Sequence, residues 1–284
     1  MKKRNVLLLF IFLCSAFFFS CTDNTITKAD PPPKGTQYHF NVFGDSRGGN
    51  SVYASFVTIA LTAGIPAFNV HIGDMISDPE KGGEWPIFEA ISRPLLGKPF
   101  YPVIGNHDVD DEESLERLRS VFPQVSTKGY YSKLIKTCLC IFLNSEELEH
   151  SEKSPGETQM NWLKTQLSAI DERQNRYIAV FVHRPLFPQN HHKDEPLSNY
   201  EALHQMMVKF KVPLVFSGHE HSYSRYEKDG IQYIITGSSG SPLFQGAGKN
   251  AFFHFAQISV LEEKLIVKIF DLFGRIRDEV EIFI

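Results

Sequence analysis

Short apolar runs alternate with amphipathic stretches along the first two thirds of the chain. Apolar residues spaced three and four positions apart predict helices at about 51–63, 84–96, 111–121, 156–170 and 199–210. The runs between these stretches are rich in Val, Ile, Phe and Tyr, which favours strands. This alternation is typical of stacked βαβ units, and it predicts an α/β fold.

The pattern changes after Ser222, where helical periodicity disappears. The remaining segments predict antiparallel hairpins with turns near Asp229-Gly230, Glu262-Glu263 and Gly274. No repeat of fixed period and no second linker divides the chain. Residues 37–284 are therefore expected to form one α/β domain with a β-rich second half.

Five of the predicted strands deliver polar side chains where they end. These residues are Asp45, Asp74, the pair Asn106 and His107, His183, and the pair His219 and His221. Ligands of open α/β sheets bind outside the carboxyl ends of the strands, so the seven side chains are expected to meet in one cleft.

Carboxylates, imidazoles and an amide oxygen are ligands for hard to borderline divalent ions. Two such ions about 3.5 to 4 Å apart can activate water for displacement at phosphorus. Taken singly, Asp45 or Asp74 is explained by a turn or a helix cap, Asn106 by a left-handed turn, and the histidines by strand ends or surface polarity. The recurrence at five strand ends favours a metal centre.

The N-terminal stretch MKKRNVLLLFIFLCSAFFFSC has three basic residues, an apolar run and a small residue before Cys21. This layout predicts a signal peptide at residues 1–20 of the lipoprotein type, with Cys21 lipidated, and a flexible tether at 21–36. Soluble secretion and a retained anchor are the alternatives. The expected location is the cell envelope, as a lipoprotein of the outer membrane or cell surface.

The composition and net charge favour a globular protein and argue against a protein that binds nucleic acids. A hydrophobic content of 42% with 22% charged residues is typical of a globular protein. The net charge is −4, and it becomes −7 without residues 1–20, which carry three basic and no acidic residues. No binding to nucleic-acid polymers is therefore expected. Cys138 and Cys140 lie in a strand-like run and are interpreted as core thiols.

Five ordered motifs resemble the calcineurin-like metallophosphoesterase superfamily. They are GDS at 44–46, GD at 73–74, GNHD at 105–108, VH at 182–183 and GHEH at 218–221. The segments GHEHSYSR (218–225) and YIITGSSGSPL (233–243) are similar to the purple acid phosphatase branch. The resemblance implies a four-layer αββα sandwich of two mixed sheets flanked by helices, with a metal site at the carboxyl ends of the strands.

The resemblance also implies a role for each matching residue. It assigns one metal ion to Asp45, Asp74 and His221, and a second to Asp74, Asn106, His183 and His219. It makes His107 the proton donor to the leaving oxygen, steadied by a nearby carboxylate, while a metal-activated hydroxide attacks phosphorus. Ser77 stands where the purple branch carries its iron-binding tyrosine, so a ferric site is not expected. The two divalent ions could be Mn, Fe, Zn or Mg.

Arg47 departs from the superfamily pattern, which places a metal-binding histidine two residues after the first aspartate. A guanidinium stays protonated and does not bind metal. We favour Arg47 as a catalytic residue that donates to a phosphate oxygen. A structural pair with Asp45 or Asp78, or a first metal site weakened by the lost histidine, are the alternatives. The segment lacks the glycine patterns of nucleotide-binding loops.

These observations predict an exported, lipid-anchored, metal-dependent phosphohydrolase that acts on small-molecule or lipid phosphate esters. A phosphodiesterase for nucleotides or lipid head groups is one alternative. A non-catalytic lipoprotein that binds a phosphorylated ligand is another. His191 and His192 lie in a long loop after His183, which is interpreted as a solvated loop or, alternatively, as a substrate rim.

Overall fold

A computed structural model describes residues 28–149, 153–169 and 177–283. The predicted signal peptide (1–20), the predicted lipidation site Cys21 and the start of the predicted tether lie outside the described residues. Within residues 28–36, Ala29 is buried and its backbone N–H donates to Thr62 Oγ1 at 3.0 Å, so this part of the chain contacts the domain. Among the described residues, no helix has the length and apolar character needed to cross a membrane.

Twelve strands of the described chain form two six-stranded sheets. The first sheet has the order β12-β11-β10-β1-β2-β3, and the second has the order β4-β5-β6-β7-β9-β8. The bounds are β1 Tyr38–Phe43, β2 Asn69–His71, β3 Phe100–Pro102, β4 Tyr131–Ile135, β5 Cys138–Phe142, β6 Tyr177–Phe181, β7 Leu214–Ser217, β8 Tyr223–Lys228, β9 Ile231–Thr236, β10 His254–Val260, β11 Lys264–Asp271 and β12 Ile276–Phe283.

Both sheets are mixed. In the first sheet, β1, β2 and β3 are parallel and β10, β11 and β12 are antiparallel. In the second sheet, β5, β6, β7 and β9 are parallel, and the edge strands β4 and β8 pair antiparallel with their neighbours. The predicted hairpins of the second half are confirmed: β8 pairs with β9, and β10, β11 and β12 form a meander.

Five α-helices lie where the periodicity predicts them. They are α1 Asn50–Thr62, α2 Glu84–Ser92, α3 Glu112–Val121, α4 Glu157–Ser168 and α5 Tyr200–Lys209, followed by a 3-10 segment at Gln245–Asn250. The start of α3 is fixed by its sequence, because the Asp111 side chain accepts from the Ser114 N–H in a capping box. Glu112 and Glu113 follow in the first turn, where negative charge is stabilising.

The two sheets share one buried hydrophobic cluster, which contains aromatic side chains from both of them. Phe142, Phe181 and Phe216 stack across the second sheet at centroid distances of 5.2 and 5.8 Å. Cys138 and Cys140 lie in the same buried cluster as free thiols, which confirms their interpretation as core residues. Apolar residues of α1 and α2 join this cluster, whereas residues of α4 and α5 pack in a second cluster with strands of the second sheet. The predicted αββα layering is confirmed.

Candidate metal centre

The loops that follow β1, β2 and β7 carry the predicted site residues in an uncommon backbone conformation. Asp45, Asp74, His219 and His221 have φ values of 53°, 55°, 69° and 48°. A positive φ is infrequent for residues other than glycine and costs free energy, and such residues cluster at functional sites. The surrounding structure therefore holds four candidate ligands in a geometry that the isolated chain disfavours.

Two glycines of the motifs allow the backbone to approach the carboxylates. A Cβ atom at Gly105 would lie 2.4 Å from Asp74 Oδ1, and one at Gly218 would lie 2.4 Å from Asp45 Oδ2. Both distances are far below van der Waals contact. These positions consequently require glycine for the carboxylates to occupy their present places.

Asp108, the last residue of the GNHD motif, holds two of these loops together. Its carboxyl group is fully buried and accepts from the backbone N–H groups of Gly105, Asp74 and Met75 at 2.8 to 2.9 Å. Burial and the nearby Asp74 raise the pKa of Asp108 to about 8, although the N–H donors act in the opposite direction. The sequence motif contains Asp108, but its role as a clamp depends on contacts that only the fold brings together.

Asp45 lies on the floor of the site and is fully buried. Both of its carboxylate oxygens accept from the His219 backbone N–H at 3.1 Å. The Nε2 atom of His221 lies 3.6 Å from Asp45 Oδ1. The first and last motifs, 174 residues apart in sequence, therefore meet at this carboxylate.

Asp74 lies at the centre of the remaining contacts. Its Oδ1 accepts from the His107 backbone N–H at 3.1 Å and lies 3.4 Å from His183 Nε2. Its Oδ2 accepts from Arg47 Nε at 3.0 Å. Asn106 Oδ1 lies 3.1 Å from the same His183 nitrogen. The predicted site residues are the six candidate metal ligands together with Arg47 and His107. The structure brings each of these eight residues into contact with at least one of the others.

The donor set fits a metal ion. One ligand atom each from Asp45, Asp74 and His183 lies within 4.8 Å of the others, and all three residues are buried. Burial and the charge of Asp74 raise the pKa of Asp45, whereas the pKa of Asp74 is lowered by His183, His107 and Arg47 against the effect of its own burial. A cation between the two carboxylates would compensate their mutual repulsion.

Two imidazoles are oriented in the way that metal-binding histidines usually are. His183 Nδ1 donates to the Ile72 carbonyl oxygen at 2.8 Å, and His221 Nδ1 donates to the Pro242 carbonyl oxygen at 3.0 Å. In each ring the Nε2 atom then faces a carboxylate, at 3.4 Å from Asp74 Oδ1 for His183 and 3.6 Å from Asp45 Oδ1 for His221. Desolvation by burial, together with the nearby charge of Arg47, lowers the pKa of His221 to about 4. The ring is therefore neutral at pH 7.

Two arginines contact the candidate ligands. Arg47 pairs with Asp74 and places Nη2 3.5 Å from His221 Nε2. The carboxylate of the alternative structural pair is therefore Asp74, in place of Asp45 or Asp78. Arg184 donates from Nη1 to His219 Nε2 at 2.8 Å and from Nε to Glu146 Oε1 at 2.7 Å. A metal ion at His219 Nε2 would displace the Arg184 contact.

His107 is held by its ring as well as by its backbone. The Nδ1 atom donates to the Ser77 carbonyl oxygen at 3.0 Å, which leaves Nε2 as the nitrogen available to a group in the cleft. A backbone carbonyl takes the place of the expected carboxylate at the ring, while the carboxylate of Asp74 accepts from the backbone N–H of His107. The half-buried ring is positioned for proton exchange with a group in the cleft.

The fold and the donor cluster define a class: two-sheet α/β sandwich proteins with carboxylate and imidazole groups gathered at the strand ends. A family model for calcineurin-like phosphoesterase matches residues 39–223, and the chain belongs to this family.

Relatives and solved structures agree with this assignment. The chain is 27% identical over 180 residues to the probable purple acid phosphatase 20 of Arabidopsis thaliana, covering 55% of this chain and 41% of the relative. It is 25% identical to the serine/threonine-protein phosphatase CPPED1 of Mus musculus, covering 61% and 56%. The chain thus spans about half the length of these curated relatives.

Among solved structures, the purple acid phosphatase PPD1 of yellow lupin seeds superimposes with a TM-score of 0.75 at 18% identity, covering 87% of this chain and 53% of the lupin chain. A dimetal phosphatase of Danio rerio gives a TM-score of 0.68 at 16% identity, with coverage of 87% and 99%. At these identities the similarity shows the fold, and the purple acid phosphatase-like branch is supported by the sequence relatives.

Proposed function

We propose that the protein is a metal-dependent phosphatase that hydrolyses phosphate esters at the rim where the motif loops meet. The observation that carries this proposal is the buried Asp45, Asp74 and His183 cluster, whose ligand atoms converge within 4.8 Å. Family membership and the phosphatase names of the relatives support the reaction class.

The proposed centre takes two divalent ions. Asp45, Asp74 and His221 would hold one, and Asp74, Asn106, His183 and His219 would hold the other, with Asp74 shared between them. When bound, the ions supply Lewis acidity toward the phosphoryl oxygens and toward a water nucleophile. A zebrafish neighbour described as a dimetal phosphatase supports the count of two.

The residues of the chain contribute binding and proton transfer. Arg47 borders the cleft with its guanidinium beside Asp74 and would donate to a phosphoryl oxygen of the ester. His107, fixed through Nδ1, would hold a proton on Nε2 and deliver it to the leaving oxygen. Small-molecule or lipid phosphate esters are the proposed substrates.

Metal removal tests the proposal. Mature protein should hydrolyse p-nitrophenyl phosphate, lose the activity after chelation, and regain it when Mn, Zn, Mg or Fe is added back. Bis-p-nitrophenyl phosphate measured in parallel separates a monoesterase from a diesterase. A protein that binds metal but hydrolyses neither ester would contradict the enzymatic proposal and favour a binding protein.

Arg47→Ala tests the substrate-binding role of the guanidinium. We expect the KM for p-nitrophenyl phosphate to rise roughly 10- to 100-fold, as expected for loss of a charge-assisted hydrogen bond, while the metal content stays unchanged. Lys81→Ala is the control, because exposed Lys81 pairs with half-buried Asp78 instead of Asp74. Loss of one metal equivalent with an unchanged KM would show that Arg47 acts on the metal site.

We also propose export and lipid anchoring through Cys21. The basic, apolar and small-residue pattern of the N-terminal stretch supports this proposal. Incorporation of a labelled fatty acid into the full chain, compared with a Cys21→Ser variant, measures it directly. Equal labelling of both chains would exclude Cys21 as the lipidated residue.

A further inference from the structure

A loop at residues 187–192 lies against the candidate centre. Its first residue, Phe187, packs edge-on against Tyr200 and Tyr233 at centroid distances of 5.6 and 5.0 Å. Near its other end, the His192 ring stacks on His219 at 4.1 Å with an interplanar angle of 22°. The loop therefore spans from an apolar cluster to a candidate metal ligand.

The middle of the loop is fixed by Glu220, the residue between His219 and His221. Its side chain is fully buried. The Gln189 backbone N–H donates to Oε1 and Oε2 at 3.0 and 2.9 Å, and the Asn190 backbone N–H donates to Oε1 at 2.7 Å. One carboxyl group thus satisfies two consecutive backbone donors of a segment about 30 residues away.

A second contact supports the same attachment. Asn190 Nδ2 donates to Ser222 Oγ at 3.0 Å and to Ser224 Oγ at 2.7 Å. Ser222 follows His221 directly along the chain, and Ser224 lies two residues further on. The 187–192 loop is therefore tied to the histidine segment on both sides of His221.

The position of Glu220 explains why these bonds matter for the centre. His219 and His221 both have a positive φ, so the segment is held in a strained turn with Glu220 at its middle. The backbone bonds that Glu220 accepts resist relaxation of that turn. They also keep the His192 ring on the face of His219, which restricts the rotation of the imidazole.

We propose that Glu220 is a positioning residue: it fixes the 187–192 loop against the histidine segment and thereby raises the affinity of the centre for the metal ion held by His219. The metal ion in this statement rests on the proposed function, whereas the attachment of the loop to Glu220 is independent of that function.

Glu220→Gln in the full chain tests the inference with two measurements. Amide hydrogen exchange across residues 187–192 should become at least about tenfold faster, because the uncharged amide of glutamine has one acceptor oxygen instead of two and forms weaker bonds with the backbone donors than the carboxylate does. Competition with a chromophoric chelator for Zn²⁺ should show roughly tenfold weaker binding at one of two sites, as for other groups that orient metal ligands.

Glu227→Gln is the matched control. Glu227 lies on the exposed part of β8 and accepts from Gln232 of β9, so this substitution should change neither measurement. Asn190→Ala removes the side-chain bonds to the two serines but keeps the backbone bonds to Glu220, so it should give a smaller change in both measurements. It also provides the test if Glu220→Gln does not fold.

The outcomes separate the two proposals. Faster exchange with unchanged zinc affinity, or unchanged exchange, overturns the role of Glu220. A wild-type chain that binds no Zn²⁺ overturns the metal centre, whereas faster exchange in Glu220→Gln would still establish the attachment of the loop.

Discussion

Asp74→Asn should reduce kcat/KM for phosphate esters by roughly a thousandfold or more, because the proposed centre shares this one carboxylate between both metal ions. The substitution keeps the size of the side chain. It removes the negative charge that faces His183 and Arg47 at 3.4 and 3.0 Å. We expect the variant to bind fewer than two metal equivalents by elemental analysis.

The metal-free variant should remain folded. The substitution removes both a repulsion with Asp45 and an ion pair with Arg47, and these contributions oppose each other. The thermal midpoint without metal should therefore change by less than about 4 °C. Asp78→Asn, on a half-buried carboxylate that pairs with Lys81, should leave activity and metal content intact. Full activity in Asp74→Asn would contradict the shared-ligand assignment.

The strand ends were predictable because each one is encoded in a short contiguous stretch of the sequence. An apolar run followed at once by Gly-Asp or by histidine indicates a buried strand that reaches a polar rim, and parallel strands bring such rims together. Asp45, Asp74, His183 and His219 were found in this way. Their convergence followed from the fold class alone.

The same rule, applied to one more run, would have found Glu146. The strand at 138–142 is followed by Asn144, Ser145 and Glu146, whereas only the two cysteines of this run were interpreted from the sequence. Glu146 holds Arg184, and Arg184 contacts His219, so the signal for this group lay at a sixth strand end.

Other features had no local signal. Which carboxylate pairs with Arg47 depends on the relative placement of two loops 27 residues apart, and neither sequence nor spacing specifies it. The parallel pairing of β7 with β9, with β8 placed outside it, likewise results from tertiary packing. The role of Glu220 has no local signal in the sequence, because its partners Gln189 and Asn190 belong to a separate loop.

His107→Asn should separate proton transfer from metal binding. Only the backbone of His107 contacts Asp74, through an N–H bond that the variant retains, so metal content should be unchanged. General acid catalysis contributes roughly 100- to 10,000-fold to rates, and a loss of that size is expected for an alkyl phosphate, whose alkoxide needs a proton in order to leave.

The comparison of leaving groups makes the test specific to this role. p-Nitrophenolate leaves readily without a proton, so the loss of kcat with p-nitrophenyl phosphate should be less than about tenfold. The wild-type protein measured on both esters is the reference, because a general defect in folding or metal binding lowers both rates equally. Equal losses on the two esters would therefore exclude His107 as the proton donor, since its Nε2 atom, left free by the Nδ1 bond to Ser77, would then have no part in the departure of the leaving oxygen.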